Sequence, residues 1–295
     1  MIHMTENRIP DSELIVNEDG SIFHLHLRPE QLSDKIVVCG DPGRVDMIAS
    51  RFDSRECDVS SREFHTITGT YKGKRVTALS HGIGGDNIEI VMNELDALAN
   101  IDLEKRVVKP EHKSLTIVRV GTSGGLQEDD PVGAYVASEY SIGFDGVLHF
   151  YADEAKVCDR DFEEALLSGL DWKLTGLKPY VVRNDESLFR QITDGTDIIH
   201  GVTISANGFY VPQGRKVRSK PLDPELNRKI MDFEYRGHRI TNFEMEGAAL
   251  AGIGSILGHR CLTVCTIIAG RKKQDMNTSY KDTLDGLIDT VLDRI

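Results

Sequence analysis

Apolar positions along the chain fall into short β-branched runs, separated by longer stretches in which apolar residues recur every three or four places. The runs at 35–39 (KIVVC), 75–80 (RVTALS), 115–120 (LTIVRV), 132–138 (VGAYVAS), 198–205 and 260–268 (RCLTVCTII) predict strands. The periodic stretches at 42–52, 86–99, 159–169, 223–233, 243–257 and 278–294 predict helices. Continuous apolar strands alternating with helices indicate a mostly parallel sheet buried on both faces. Residues 100–114 (NIDLEKRVVKPEHKS) are charged and read as a surface excursion. With no internal repeat, low-complexity tract or linker, the pattern predicts one α/β domain.

Composition narrows the function more than the fold. The 295 residues are 40% hydrophobic and 28% charged, which excludes a disordered or fibrous chain. The net charge of −12 argues against nucleic acid and against a membrane surface as partner. An anionic ligand would need a few placed arginines to overcome that field locally. The cysteines at 39, 57, 158, 261 and 265 form no CxxC pair and leave an odd one out. They are expected to be reduced, as in a cytoplasmic protein. MIHMTENRIP lacks a long apolar stretch, so no secretory signal is expected, and no run approaches the roughly 20 residues of a membrane helix.

Three glycine loops follow predicted strands. Gly40-Asp41-Pro42-Gly43-Arg44 has the chemistry of a strand-to-helix turn, with Asp to cap and Pro to start a helix. The same residues suit an anion at a helix N-terminus, with Arg44 adding charge. His81-Gly82-Ile83-Gly84-Gly85-Asp86-Asn87 lacks the third glycine of a dinucleotide fingerprint, since Asn87 stands there. Tight strand–helix packing accounts equally well for its glycines. Arg119-Val120-Gly121-Thr122-Ser123-Gly124-Gly125 places an arginine in an apolar strand, which is costly without an anionic partner. It also fits the G-x-S-x-G elbow of serine hydrolases, but that motif requires a following helix, and Leu-Gln-Glu-Asp-Asp-Pro-Val-Gly reads as an acidic turn. Asn242-Phe243-Glu244-Met245-Glu246-Gly247-Ala248-Ala249 is expected to open a buried helix. Its two carboxylates either serve a site or complement the helix dipole.

Taken together these segments resemble the nucleoside phosphorylase family with the purine/uridine phosphorylase fold. Six motifs in order carry the resemblance: GDPxR (40–44), SREF (61–64), HGIGG (81–85), RxGTSGG (119–125), FYxPQGR (209–215) and NFEMEGAAL (242–250). It implies a single-domain three-layer α/β sandwich over residues 22–295, with a mixed, largely parallel central sheet flanked by helices, after an extension at 1–21. It implies phosphate binding by Gly40, Arg44, Arg119 and Thr122, and by Arg62 lent from a neighbouring subunit. His24 would reach across the same interface to the ribose 5′-hydroxyl. Glu244, Met245 and Glu246 would bind ribose, with Glu246 on the 2′- and 3′-hydroxyls. Phe209 would stack on the base, while Gln213 and Arg215 read its edge and Arg271 helps fix Arg215. Glu63, Ile83 and Asn87 fall where some members hold an interface potassium ion.

The purine-handling branch places an aspartate just after the last strand. Here Thr266-Ile267-Ile268-Ala269-Gly270-Arg271-Lys272 carries no acid before Asp275, which favours the uridine branch. The resemblance therefore implies a homo-oligomeric pentosyltransferase that cleaves uridine with inorganic phosphate and needs no cofactor. A purine phosphorylase or hydrolytic nucleosidase of the same fold is the alternative. A nucleoside-binding protein without turnover is the alternative of a different class.

Overall fold

The apolar run at 35–39 folds as β1 (Lys35–Cys39), and the Asp-Pro-Gly turn after it starts α1 (Pro42–Ala49). The structure is a computed structural model describing residues 8–272, 276–277 and 279–295; Asp275 and the first seven residues of the 1–21 extension lie outside them. The chain divides into two compact units. One comprises the residues up to Gly82 together with Glu89–Ile117; the other comprises Ile83–Ile88 with Val118–Ile295.

In the first unit a hairpin precedes β4 (Lys74–Ser80), formed by β2 (Ser54–Ser61) and β3 (Phe64–Tyr71). β1 pairs parallel with β4, β4 antiparallel with β3, and β3 antiparallel with β2. The apolar pattern misses β2 and β3. β2 (SRECDVSS) is an edge strand with alternate residues exposed, and β3 is rich in threonine. α2 (Gly85–Asn100) ends in a two-stranded ribbon, β5 (Ile101–Asp102) with β6 (Val107–Val108). The charged segment 100–114 thus makes its own small sheet.

The second unit is built around β7 (Thr116–Gly125) and β8 (Tyr135–Gly143). After α3 (Glu154–Val157) and α4 (Arg160–Gly169) come β9 (Tyr180–Arg183), α5 (Glu186–Thr193), β10 (Ile199–Ser205), α6 (Leu226–Asp232) and β11 (Glu234–Tyr235). The chain ends with β12 (His238–Glu244), α7 (Gly247–Ile256), β13 (Arg260–Gly270) and α8 (Lys281–Arg294). Parallel pairing joins β8, β10 and β12, and β13 lies antiparallel to β8. β12 also pairs antiparallel with β7 through Asn242↔Gly125 and Phe243↔Gly124, so the strands β12-β10-β8-β13-β7 close on themselves. The paired residues on β7 are glycines, and that lets the two strands meet at a bend. Phe162, Leu166, Ile204 and Phe243 are among the buried side chains of this unit's core, each contributing roughly 1.5–3 kcal/mol by leaving water.

The architecture is the expected α/β arrangement of a mixed sheet flanked by helices. Two boundaries differ from the sequence pattern in ways that matter for function. β7 continues through Gly121–Gly125 instead of turning, and Asn242-Phe243-Glu244 ends a strand where a helix was expected to open. Among the described residues no helix is long and apolar enough to cross a membrane.

Candidate active site

Arg119 points from β7 into the second unit, and its side chain is only 5% exposed. Space for it comes from Gly121. A Cβ there would stand 2.4 Å from Arg119 Nη1 and 2.8 Å from Cys265 Sγ. The guanidinium fills that gap. Nη1 lies 3.0 Å from Glu244 Oε2, Nη2 donates to Glu246 Oε2, and Nη1 also donates to Cys265 Sγ at 3.5 Å.

Glu244 is the last residue of β12, and its carboxylate turns back over the start of α7. It accepts from Glu246 N at 2.9 Å, from Gly247 N at 2.9 and 3.0 Å, and from Ser205 Oγ. Ser205 Oγ in turn accepts from Ala248 N at 2.8 Å. The first amides of α7 are thereby satisfied inside the protein, which is the usual need of a buried helix N-terminus. Glu246 spends its other oxygen on Gly84 N at 2.8 Å.

Two carboxylates share one cation here. Burial opposes the charge on Arg119, but Glu246 and Glu244 outweigh it and raise its pKa above the ordinary value. Glu246 is also raised, by burial first and by the neighbouring Glu244, against the pull of Arg119. The surplus negative charge explains why both members of the pair shift upward. Burial pushes the Cys265 thiol up to about 12, so it stays protonated. Met245 is half-buried beside this cluster in sequence, and Thr122 is half-buried on β7. Ser123 Oγ is buried and makes no hydrogen bond among the described residues. No helix follows it: β7 ends at Gly125 and Leu126 N bonds to Thr241 O. The serine-hydrolase elbow is therefore not formed.

A second constellation lies on the segment after β10. Gln213 is buried, and its Oε1 accepts from Arg215 Nη1 at 2.5 Å. Its backbone oxygen accepts from Arg271 Nη2 and Asn227 Nδ2, each at 3.0 Å. Arg215 Nη1 also donates to Phe209 O, and the guanidinium carbon sits 3.6 Å from the centroid of the Phe209 ring, which is 50% exposed. Burial and then the charge of Arg271 lower the Arg215 pKa to about 10; burial likewise lowers that of Arg271. Among the described residues neither arginine is in an ion pair. The arrangement is a partly desolvated cationic edge.

The first unit carries the remaining residues. Asp41 caps α1 by accepting from Gly43 N at 2.9 Å, and Arg44 on that helix is buried. Gly40 is held tightly: a Cβ there would lie 3.1 Å from Gly82 O. Arg62 sits at the β2–β3 turn with φ of +55°, and its guanidinium lies 5.9 Å from the Phe23 ring centroid. His24 packs edge-on to the same Phe23 ring, 4.8 Å between centroids, so Arg62 and His24 flank one aromatic ring. Glu63 is exposed in the first unit; in the second, Ile83 is 71% exposed and Asn87 half-buried.

A family model for the phosphorylase superfamily matches residues 34–291. The chain belongs to the phosphorylase superfamily. It is similar to the uridine phosphorylase of Thermococcus kodakarensis, 29% identical over 254 residues covering 86% of this chain and 79% of that protein. Purine nucleoside phosphorylase DeoD-type 2 of Vibrio cholerae is 26% identical over 278 residues, 91% and 98% of the two chains. A crystal structure of Trypanosoma brucei nucleoside phosphorylase, described as showing uridine phosphorylase activity, superimposes with a TM-score of 0.86. It is 28% identical and covers 95% of this chain and 98% of its own.

In this phosphorylase-superfamily chain three buried polar side chains escape a motif reading: Ser205 and Cys265 around Arg119 in the second unit and, in the first, Glu94 beside His24. Ser205 and Cys265 lie in apolar strand runs and read as small core residues. Glu94 lies among the buried Val91, Met92, Leu95 and Leu98 of α2. A charged residue on the apolar stripe of a helix was the available signal.

Proposed function

We propose that the chain is a uridine phosphorylase, a pentosyltransferase that converts uridine and inorganic phosphate to uracil and ribose 1-phosphate. The observation that carries this reading is the pairing of two sites in one unit: an arginine bracketed by two carboxylates where β12 meets α7, and an arginine pair around Gln213 that has no carboxylate partner among the described residues. A phosphate oxygen bonds to the anomeric carbon as the bond from that carbon to the base nitrogen breaks. The bonding pair leaves with uracil, which then takes up a proton.

Arg119 and Thr122 serve the phosphate. Its dianion competes with Glu246 for the guanidinium and frees that carboxylate for the ribose 2′- and 3′-hydroxyls, where it stabilises the cationic sugar of the transition state. Glu244 keeps α7 and Arg119 in place, and Met245 lies against the sugar. On the base side the Gln213 amide and the Arg215 guanidinium take the uracil edge, with Arg271 holding the Gln213 backbone and Phe209 stacking on the ring. Negative charge developing on the carbonyl oxygens meets a cation already stripped of much of its water. The enzyme works as a homo-oligomer in the cytoplasm, with Arg62 and His24 serving a neighbouring subunit.

A nucleoside panel assayed with and without phosphate tests the proposal. Uridine with phosphate is expected to give uracil and ribose 1-phosphate, and omitting phosphate to abolish turnover. Equal uracil release in phosphate-free buffer would make the protein a hydrolase. A wide preference for inosine would move it to the purine branch, to which the DeoD-type relatives belong by name.

A further inference from the structure

Glu94 is a buried carboxylate with no place in the chemistry above, yet its hydrogen bonds among the described residues all go to one short segment. Its Oε1 accepts from His24 N at 2.9 Å and faces His24 Nδ1 at 2.6 Å; its Oε2 accepts from Leu25 N at 2.8 Å and lies 3.1 Å from His24 N. Ile22, Leu25 and Leu27 are fully buried and pin the segment on either side, while Phe23 and Phe64 flank the imidazole edge-on. The His24 side chain remains 29% exposed, and among the described residues its Nε2 makes no hydrogen bond.

A carboxylate that already accepts two backbone amides has only lone pairs to offer a ring nitrogen. The proton of the neutral imidazole therefore sits on Nδ1, and Nε2 is left as an acceptor. We propose that Glu94 is a positioning residue: it fixes the orientation and tautomer of His24 so that Nε2 accepts a hydrogen bond from the ribose 5′-hydroxyl of the nucleoside. This rests on the uridine phosphorylase reading and on His24 as the residue that meets that hydroxyl. Without the carboxylate the imidazole is free to carry its proton on Nε2, and a donor would then face the hydroxyl where an acceptor is needed.

The experiment compares uridine with 5′-deoxyuridine, which lacks the hydroxyl, in native enzyme, His24→Ala and Glu94→Gln at saturating phosphate. Both variants are expected to lose about tenfold in kcat/KM on uridine and less than about twofold on 5′-deoxyuridine. A Glu94→Gln loss that is equal on the two substrates would reduce Glu94 to a structural anchor and overturn the proposal. A His24→Ala loss equal on both would instead remove His24 from the 5′-hydroxyl, so the underlying reading fails separately. Should Glu94→Gln not fold, nitrogen NMR of the native His24 ring decides: a proton on Nδ1 is expected, and one on Nε2 would refute the assignment.

Discussion

Arg119 and Arg215 are both cations of the second unit, but the protein treats them in opposite ways. Arg119, inside β7, is locked between Glu244 at the end of β12 and Glu246 at the start of α7, and its affinity for its proton is raised. Arg215 lies outside regular structure, stacked on Phe209 beside a second arginine, and its pKa is lowered to about 10. A paired cation resists binding anything but an anion able to displace a carboxylate. A partly desolvated one with no carboxylate among the described residues favours an acceptor that relieves it. The first behaviour suits the phosphate and sugar, which every substrate of such an enzyme shares; the second suits the base, which distinguishes them. Strand ends and buried caps hold the first geometry rigidly, whereas loops are the parts most free to vary.

The largest effect should come from disturbing the rigid half without touching a charge. Gly121→Ala puts a methyl group 2.4 Å from Arg119 Nη1 and 2.8 Å from Cys265 Sγ, and both neighbours are buried. The guanidinium has to leave its slot, so kcat/KM should fall by about a hundredfold or more, with phosphate saturation the first property lost. Steady-state kinetics with varied phosphate, alongside circular dichroism to confirm folding, reads this out. A folded variant within about fivefold of native would mean that the Arg119 geometry is not required.

The loop half should respond differently. Arg215→Ala removes one charge-assisted donor, so uridine kcat/KM should drop by about 10–100-fold while the phosphate KM stays within about twofold. Discrimination against cytidine should weaken in the same variant, because the mismatch with its amino group disappears. The melting temperature should change little, since the residue lies outside the strand core. Intact uridine kinetics would break the assignment of this loop to the base.

The two halves also differ in how far they can be read from sequence. The glycine–hydroxyl–arginine run of β7 is a local signature, and the closing of Gly121–Gly125 against β12 is compatible with it. The start of α7 is not local. His238–Glu244 carries buried Thr241, Asn242 and Glu244, whose side-chain oxygens are met by β10 and α7, so no apolar alternation marks a strand there. The small apolar run beginning at Gly247 then pulls a helix reading too far upstream. Glu94 is hidden for a similar reason: its donors are backbone amides some 70 residues away, and sequence spacing holds no trace of them. On the loop, FYxPQGR names the residues, but the stacking of Arg215 on Phe209 depends on the turn at Gly214, where φ is +71°.

The smallest expected effect sharpens the contrast at a carboxylate that has no cation partner among the described residues. Asp145 accepts from Tyr180 Oη at 2.9 and 3.0 Å and from Val147 N at 2.9 Å. Burial nevertheless raises its pKa, more than these hydrogen bonds lower it, and the charge of Glu244 adds to the rise. The native state therefore holds the proton at pH values where the unfolded chain has released it. Stability from this group falls as pH climbs from the ordinary carboxylate range through the raised native value, and above that the full cost is carried. An asparagine oxygen can accept from the same two donors without the charge. Asp145→Asn should thus match or exceed the native melting temperature at pH 7 by a few degrees at most, and the difference should shrink toward pH 4. Unlike Glu246, whose charge Arg119 partly repays, Asp145 is expected to lose nothing on neutralisation. A variant less stable than native at pH 7, with the deficit vanishing in acid, would show instead that the ionised form is the one the fold prefers.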